Sequence, residues 1–289
     1  MRNTFSNETQ ILGLLGHPIK HSYSPFIFNI TAQLLNLDLT YLPFDVPPAE
    51  LKYAVKGMVT LGFKGWNVTI PHKETIKRRL NSLSEEAALV GSVNTVVNDM
   101  GNLVGYNTDV NGVYESLLPY KDEIGGLDVT VIGAGGAARA VLYTLIKHFR
   151  PGTINLINRT EQRADTLKDY FYNKMRYPDI KTQILFPPRV QEVISNSKLI
   201  VNTTSVGMYP DSGSQLFPEA KAFNRGQVVF DLVYNPVETN FLKMAKGEGA
   251  VTINGLRMLV AQAAKSFELW TGQEMPVPAI HDAILNYIK

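Results

Sequence analysis

One stretch restricts the fold of this chain more than any other: Val131-Ile132-Gly133-Ala134-Gly135-Gly136-Ala137-Ala138-Arg139-Ala140. It follows an apolar run and opens a segment with helical character. A strand that turns directly into a helix returns by a crossover, so its sheet neighbours are parallel. Gly133 permits the tight turn. Gly135 lets the backbone approach a pyrophosphate closely, and Gly136 and Ala137 keep the helix near the strand. The helix N-terminus supplies unpaired N–H groups and a partial positive charge to such an anion. Ala138 stands where the G-x-G-x-x-G pattern has its third glycine, a replacement the pattern admits. The same glycines would also build a turn without a ligand, but the strand before and the helix after favour dinucleotide binding.

The next apolar run ends Asn155-Leu156-Ile157-Asn158-Arg159-Thr160. An NAD enzyme usually places Asp or Glu here against the ribose 2′-hydroxyl. This chain offers Arg159, whose guanidinium fork suits a 2′-phosphate. The pattern favours NADP over NAD, although Glu161 follows two residues on and Arg159 would serve equally as a surface charge. After a third apolar run, the loop Asn202-Thr203-Thr204-Ser205-Val206-Gly207-Met208 brings Thr203 and Ser205 either to the nicotinamide or merely to the capping of the next turn.

Apolar β-rich runs alternate with helical patterns along most of the chain, which argues for an α/β fold with mainly parallel strands. The first series reads as strands over 11–15, 40–44 and 65–68, helices over 24–37 and 49–60, and a hairpin of 93–98 with 103–106. The second reads as strands over 129–133, 153–158, 199–203, 228–232 and 251–253, with helices over 137–149 and 161–173. The boundary falls after Asp109, and a helix over 110–118 bridges it. Beyond 256, Leu259, Ala263, Phe267 and Trp270 share one face of a long helix, and 278–288 reads as another. Periodicity leaves open which series these two helices join.

Composition excludes several classes. The chain of 289 residues has no cysteine, which removes disulfides, thiolate nucleophiles and cysteine-ligated metal. At 45% hydrophobic and 19% charged it matches an ordinary soluble globular protein. A net charge of +2 from scattered Lys and Arg gives no footprint for nucleic acid or an anionic membrane. Residues 73–79 are locally basic and read as a solvated helix face. No run is long enough to span a membrane, and residues 1–10 are polar, so no secretory signal and a cytoplasmic location are expected. His17 and His21 are four apart, but Pro18 and Pro25 make the region a loop and no carboxylate pair adjoins them. No metal is expected.

The first series carries four polar clusters, each beside a strand end or loop: His21-Ser22-Tyr23-Ser24-Pro25, Asn67-Val68-Thr69-Ile70-Pro71-His72-Lys73, Gly91-Ser92-Val93-Asn94-Thr95 and Gly105-Tyr106-Asn107-Thr108-Asp109. Together they supply hydroxyls, amides, an ammonium and a carboxylate, the inventory a polyhydroxylated ring acid requires. Taken singly, Lys73 reads as a surface lysine, Asp109 and Ser24 as helix caps, and Tyr234 as a turn residue before Pro236.

In order and spacing these motifs resemble those of the shikimate dehydrogenase family, over nearly the whole chain. The most specific pieces are the Ser-x-Ser-Pro of Ser22 to Pro25 and the Asn-Val-Thr-Ile-Pro-His-Lys of Asn67 to Lys73. The resemblance implies an N-terminal α/β substrate domain, a Rossmann-like NADP-binding domain, and C-terminal helices returning to the first. That is a substrate domain over 1–109, completed by 256–289, and an NADP domain over 110–255. It implies that Ser22 and Ser24 bind the substrate carboxylate, that Thr69, Asn94 and Gln262 hold ring hydroxyls, that Lys73 and Asp109 form the catalytic pair with Asp109 also touching substrate, and that Tyr234 reaches the substrate from the cofactor side. Gly255 joins Gly133, Ala134, Gly135, Gly136, Ala137, Asn158, Arg159, Thr160, Thr203 and Ser205 at the cofactor. The activity implied is reversible NADPH-dependent reduction of 3-dehydroshikimate to shikimate, a step of the chorismate route to aromatic amino acids. The partner implied is that small molecule, with a homodimer admitted. A quinate/shikimate or aminoshikimate-type relative would share Lys73 and Asp109, and an NADP-binding regulatory domain without turnover is the non-enzyme alternative. Whether Lys73 donates a proton or chiefly positions and polarises stays open at this level.

Overall fold

The computed structural model describes residues 5–185, 187–216 and 222–288. The first four residues of the polar N-terminal stretch and the last residue of the chain therefore lie outside the described residues. The chain forms two compact units, one built from the chain up to Thr108 and from Val260 onward, the other from Asp109–Leu259.

The first unit runs β1 (Gln10–Gly16), α1 (Ser24–Leu34), β2 (Leu39–Asp45), α2 (Leu51–Thr60), β3 (Gly65–Val68), β4 (Ser82–Leu83), α3 (Glu85–Val90), β5 (Thr95–Asp99) and β6 (Asn102–Tyr106). Its sheet has the order β2-β1-β3-β5-β6-β4. The helical crossovers make β2, β1 and β3 parallel, whereas β5 runs antiparallel to both β3 and β6. The turn between β5 and β6 is only Met100-Gly101, both at positive φ (48° and 91°), the conformation that closes a two-residue hairpin. Thr95 pairs with Asn67 on one side and Tyr106 on the other, and Leu15 pairs with Val68. This register sets the carboxyl ends of β1, β3 and β6 and the amino end of β5 along one margin of the sheet. All four polar clusters leave from that margin.

Two sequence expectations need correction here. The first helix ends at Leu34 rather than at residue 37, because the chain turns through Asn36 at φ 53°. The basic segment 73–79 is not a regular helix: it forms turns and then a single 3-10 turn, Ile76–Arg79. There Ile76 is fully buried and Lys77 Nζ donates to the carbonyl of Gly91 at 2.5 Å. α3 went unread although its caps are plain, since Ser84 Oγ accepts from Ala87 N and Gly91 follows at φ 76°.

The second unit runs α4 (Asp109–Leu117), α5 (Lys121–Ile124), β7 (Val129–Ile132), α6 (Gly136–Thr144), β8 (Ile154–Asn158), α7 (Glu161–Met175), β9 (Ile180–Ile184), α8 (Pro187–Asn196), β10 (Leu199–Asn202), β11 (Val228–Asp231), α9 (Asn240–Gly247) and β12 (Val251–Ile253). Its sheet, β12-β11-β10-β7-β8-β9, is parallel throughout. The chain winds outward from β7 through β8 to β9, then returns to β10 and winds the other way. That is a doubly wound Rossmann-like topology, with its switch point between β7 and β10. α6 does not run on regularly to Phe149: it loosens into a π-type turn over Leu145–Phe149. β9, α8 and α9 were not read from the sequence.

Two helices close the chain, α10 (Leu256–Thr271) and α11 (Val277–Ile288). From Val260 onward they belong to the first unit. Phe28 stacks on Tyr41 at 4.4 Å between ring centres and lies 5.3 Å from Trp270. Trp270 Nε1 donates to the carbonyl of Val96 at 2.9 Å. Gly65 makes that approach possible: a Cβ there would stand 2.2 Å from Trp270 Nε1 and 2.5 Å from the Val96 carbonyl oxygen. Gly65→Ala is expected to destabilise the protein by about 3 kcal/mol through overpacking and the broken tryptophan hydrogen bond, read as a lower urea midpoint.

Candidate active site

The margin of the first sheet holds the proposed substrate groups. The loop after β1 brings Ser22 and Ser24 together, with Ser24 N donating to Ser22 Oγ at 3.2 Å. Ser24 opens α1 and Pro25 follows in its first turn, a place where proline's missing N–H costs nothing. The loop after β3 is pinned at several points. Thr69 N donates to the Leu15 carbonyl at 2.8 Å, His72 N donates to the Thr69 carbonyl at 2.8 Å, and the Lys73 carbonyl accepts from Val93 N at 2.8 Å. Buried His72 adds a side-chain contact of 2.6 Å between Nε2 and the carbonyl of Val46. Thr69 and Lys73 are thereby held half-buried on a loop tied to β1 and to the approach to β5.

Asn94 and Gln262 come together, with Asn94 Nδ2 donating to Gln262 Oε1 at 3.3 Å. Both are buried. Around them lies a hydroxyl cluster that sequence reasoning did not assign. Thr108 Oγ1 is 2.9 Å and Thr95 Oγ1 2.8 Å from Ser266 Oγ, and Asn67 Nδ2 donates to Ser266 Oγ at 3.1 Å. A signal was present: Ser266 follows Gln262 by four residues, so these two polar side chains share one face of the helix. His17 meets a single carboxylate, Asp45, at 2.6 Å, because β2 runs beside β1.

The second unit places Gly133 to Ala137, Thr203 and Ser205 at the switch point, Asn158 to Thr160 at the end of β8, and Gly255 after β12. Gly133 ends β7 at φ 107°, and a Cβ there would stand 2.5 Å from Thr203 Oγ1, so only glycine fits. Thr203 in turn donates from Oγ1 to the Ile132 carbonyl at 2.7 Å. Gly135 precedes α6, and nothing lies within 4 Å of where its Cβ would be. The backbone there faces open space at a helix N-terminus, with Ala134, Gly136 and Ala137 partly exposed around it. That is a cradle of the kind a pyrophosphate occupies. Past β8, Asn158 Nδ2 donates to the Thr160 carbonyl at 2.8 Å, and Arg159 projects exposed between them. Ser205 is also exposed. Gly255 packs against the chain just before Tyr234: its N donates to the Val233 carbonyl at 3.1 Å, and a Cβ would stand 2.2 Å from the Leu232 carbonyl oxygen.

Asp231, another residue the sequence reading passed over, joins these loops. Its carboxylate accepts from Asn202 Nδ2 at 2.9 Å, Val233 N at 3.0 Å and Thr239 Oγ1 at 2.6 Å. Asn202 Oδ1 in turn accepts from Thr204 N and Oγ1. Burial pushes the Asp231 carboxyl up to about 6, against the lowering effect of its hydrogen bonds from Thr239, Val233 and Asn202. Asp109 begins α4 and is buried. Lys73 belongs to the first unit and Asp109 to the second. Among the described residues no group of three or more His, Asp or Glu could hold a metal ion, and no helix is long and apolar enough to cross a membrane.

Residues 14–96 match the model for the shikimate dehydrogenase substrate binding domain, and residues 255–285 match that for the shikimate 5'-dehydrogenase C-terminal domain. The chain is 41% identical to the NADP(+) shikimate dehydrogenase of Caldanaerobacter subterraneus subsp. tengcongensis, over 96% of each protein. It superposes on a shikimate dehydrogenase solved in complex with NADP+ at TM-score 0.91 and 37% identity, covering 99% of this chain and 98% of that one. Shikimate 5-dehydrogenase from Listeria monocytogenes, solved with shikimate and NAD, matches at TM-score 0.86 and 36% identity, over 98% and 99% of the two chains.

The raised Asp231 carboxyl has a sign that can be tested. Its folded-state value lies above that of the unfolded chain, so between about pH 4 and pH 6 the native state binds the extra proton and stability falls as pH rises. On lowering the pH from 7 to 5, the protein is expected to gain about 1 kcal/mol relative to Asp231→Asn, measured by urea denaturation of both.

Proposed function

The chain belongs to the shikimate dehydrogenase family, and from that premise we propose that it catalyses the reversible NADPH-dependent reduction of 3-dehydroshikimate to shikimate. One observation carries the reading. Four polar loops leave a single margin of the first sheet, and there Asn94 and Gln262 are held amide to amide. The donors and acceptors gathered there suit a ring that bears several hydroxyls and a carboxylate. In this reading Ser22 and Ser24 take the carboxylate, and Thr69, Asn94 and Gln262 take ring hydroxyls. The first unit is the substrate domain.

In the second unit Gly133, Ala134, Gly135, Gly136 and Ala137 cradle the pyrophosphate. Asn158, Arg159 and Thr160 hold the 2′-phosphate end, and Thr203, Ser205 and Gly255 line the nicotinamide end with Tyr234 reaching to substrate. The open space over Gly135 and the absence of an acid at the end of β8 both fit NADP. NADPH, when bound, supplies the hydride for the ring ketone. Lys73 as ammonium gives the proton that the resulting alkoxide needs, and as amine takes it back during oxidation. Asp109 completes the proton-transfer pair.

Lys73→Ala is expected to lower kcat about a hundredfold or more with unchanged NADPH binding, measured by steady-state kinetics and fluorescence titration. Near-normal turnover would remove Lys73 from the chemistry. Arg159→Ala is expected to weaken NADPH far more than NADH, and equal weakening would remove the 2′-phosphate assignment. Absorbance of the reduced nicotinamide, followed with shikimate or quinate against NADP or NAD, tests the activity itself. Fast reduction of NADP by shikimate is expected. Equal rates with quinate would broaden the substrate assignment.

A further inference from the structure

We propose that Ser266 is a positioning residue for substrate recognition, an inference that rests on reading Asn94 and Gln262 as the groups that hold ring hydroxyls. Ser266 lies one turn beyond Gln262 on α10 and is fully buried. Counting protons gives its network a direction. Thr108 N–H donates to Asn94 Oδ1 at 2.7 Å, which identifies that atom as the oxygen and leaves Nδ2 as the donor. Nδ2 then donates to Thr108 Oγ1 at 2.9 Å and to Gln262 Oε1 at 3.3 Å.

Thr108, having accepted that hydrogen bond, needs an acceptor for its own proton. Ser266 Oγ is nearest at 2.9 Å, ahead of Thr95 Oγ1 at 3.2 Å, Asn94 Oδ1 at 3.3 Å and Gln262 Oε1 at 3.5 Å. Ser266 passes its own proton to the Gln262 carbonyl at 3.0 Å. It also accepts from Asn67 Nδ2, whose amide is oriented by the Asn94 carbonyl at 3.1 Å and by the Tyr41 hydroxyl, which donates to Oδ1 at 2.8 Å. Without the Ser266 oxygen, the Thr108 proton turns to the remaining acceptors. Two of these are the amide oxygens that set the Asn94–Gln262 pair. Ser266 therefore helps to hold the Asn94–Gln262 pair, whose Asn94 amide the Thr108 N–H orients, and through it the hydroxyl pattern the site accepts.

Steady-state kinetics on Ser266→Ala, Asn94→Ala and the double variant test this. Ser266→Ala is expected to raise the KM for shikimate about tenfold, the equivalent of one buried hydrogen bond, and to leave the KM for NADP within about twofold. Ser266→Thr, which keeps the hydroxyl, is expected to restore part of the loss. Thr108→Val, which cuts the same link from the other side, is expected to reproduce it. In the Asn94→Ala background the Ser266→Ala effect is expected to vanish, because it acts through that amide. Hydrogen exchange of the Asn94 side-chain amide, followed by NMR without substrate, is expected to accelerate in Ser266→Ala. Additive KM effects, or unchanged amide exchange in the folded variant, would overturn the proposal. Failure of the unaltered protein to oxidise shikimate, assayed in the same series, strikes the function reading and is seen independently of the exchange result.

Discussion

The seating of α10 against the first sheet is the constraint on which the substrate half of this molecule depends. The helix brings polar side chains into an apolar interface, where each unpaired group would cost roughly 1–3 kcal/mol. The interface is tolerable because partners meet them. Trp270 finds the Val96 carbonyl, and Ser266 finds Thr95, Thr108 and Asn67. These partners come from β3, β5 and the chain just after β6, so the seat of the helix matches the sheet only in this register. The reverse also holds, since without α10 the amide of Asn94 would lose its bond to Gln262. Site and fold are stabilised by the same hydrogen bonds.

The second unit solves a different problem. A parallel sheet has to be covered on both faces, and its strands accordingly read as continuous apolar runs. The winding reverses between β7 and β10, and the loops that follow them leave neighbouring strand ends in diverging directions, which makes an opening. Gly133 and Thr203 meet across that opening, and Asp231 ties the loop after β10 to the loop after β11. A buried carboxylate accepting three hydrogen bonds is a costly tie. It holds the approach to Tyr234 in one shape at neutral pH.

Much of this was legible in the residues. The glycine turn specified a strand–helix crossover because few other sequences permit that backbone, and the polar clusters stood out as interruptions in apolar periodicity. Some of the elements and contacts that escaped reading are those whose stability is not local. β9 carries three consecutive polar residues, Lys181, Thr182 and Gln183, and becomes a strand by pairing with β8. The basic segment 73–79 has helical composition but is held in turns by the Val93–Lys73 backbone bond and the burial of Ile76. Asp231 looked like the end of an apolar strand, and nothing near it in sequence announces that Asn202 and Thr239 converge on it.

By itself the sequence determined the α/β class, the crossover at Gly133, the inventory of groups for a hydroxylated ring acid, and the substitution of Arg159 for an acid at the end of β8. Each follows from short-range stereochemistry or from the identity of a side chain. Only the tertiary structure decided that the four polar loops share one sheet margin, that α10 returns to the first unit, and that Ser266, outside the recognised motifs, joins their polar cluster. Those facts depend on strand register and on pairings between residues more than a hundred positions apart. Sequence periodicity reports which face of an element is apolar, and carries no information about which distant face it will meet.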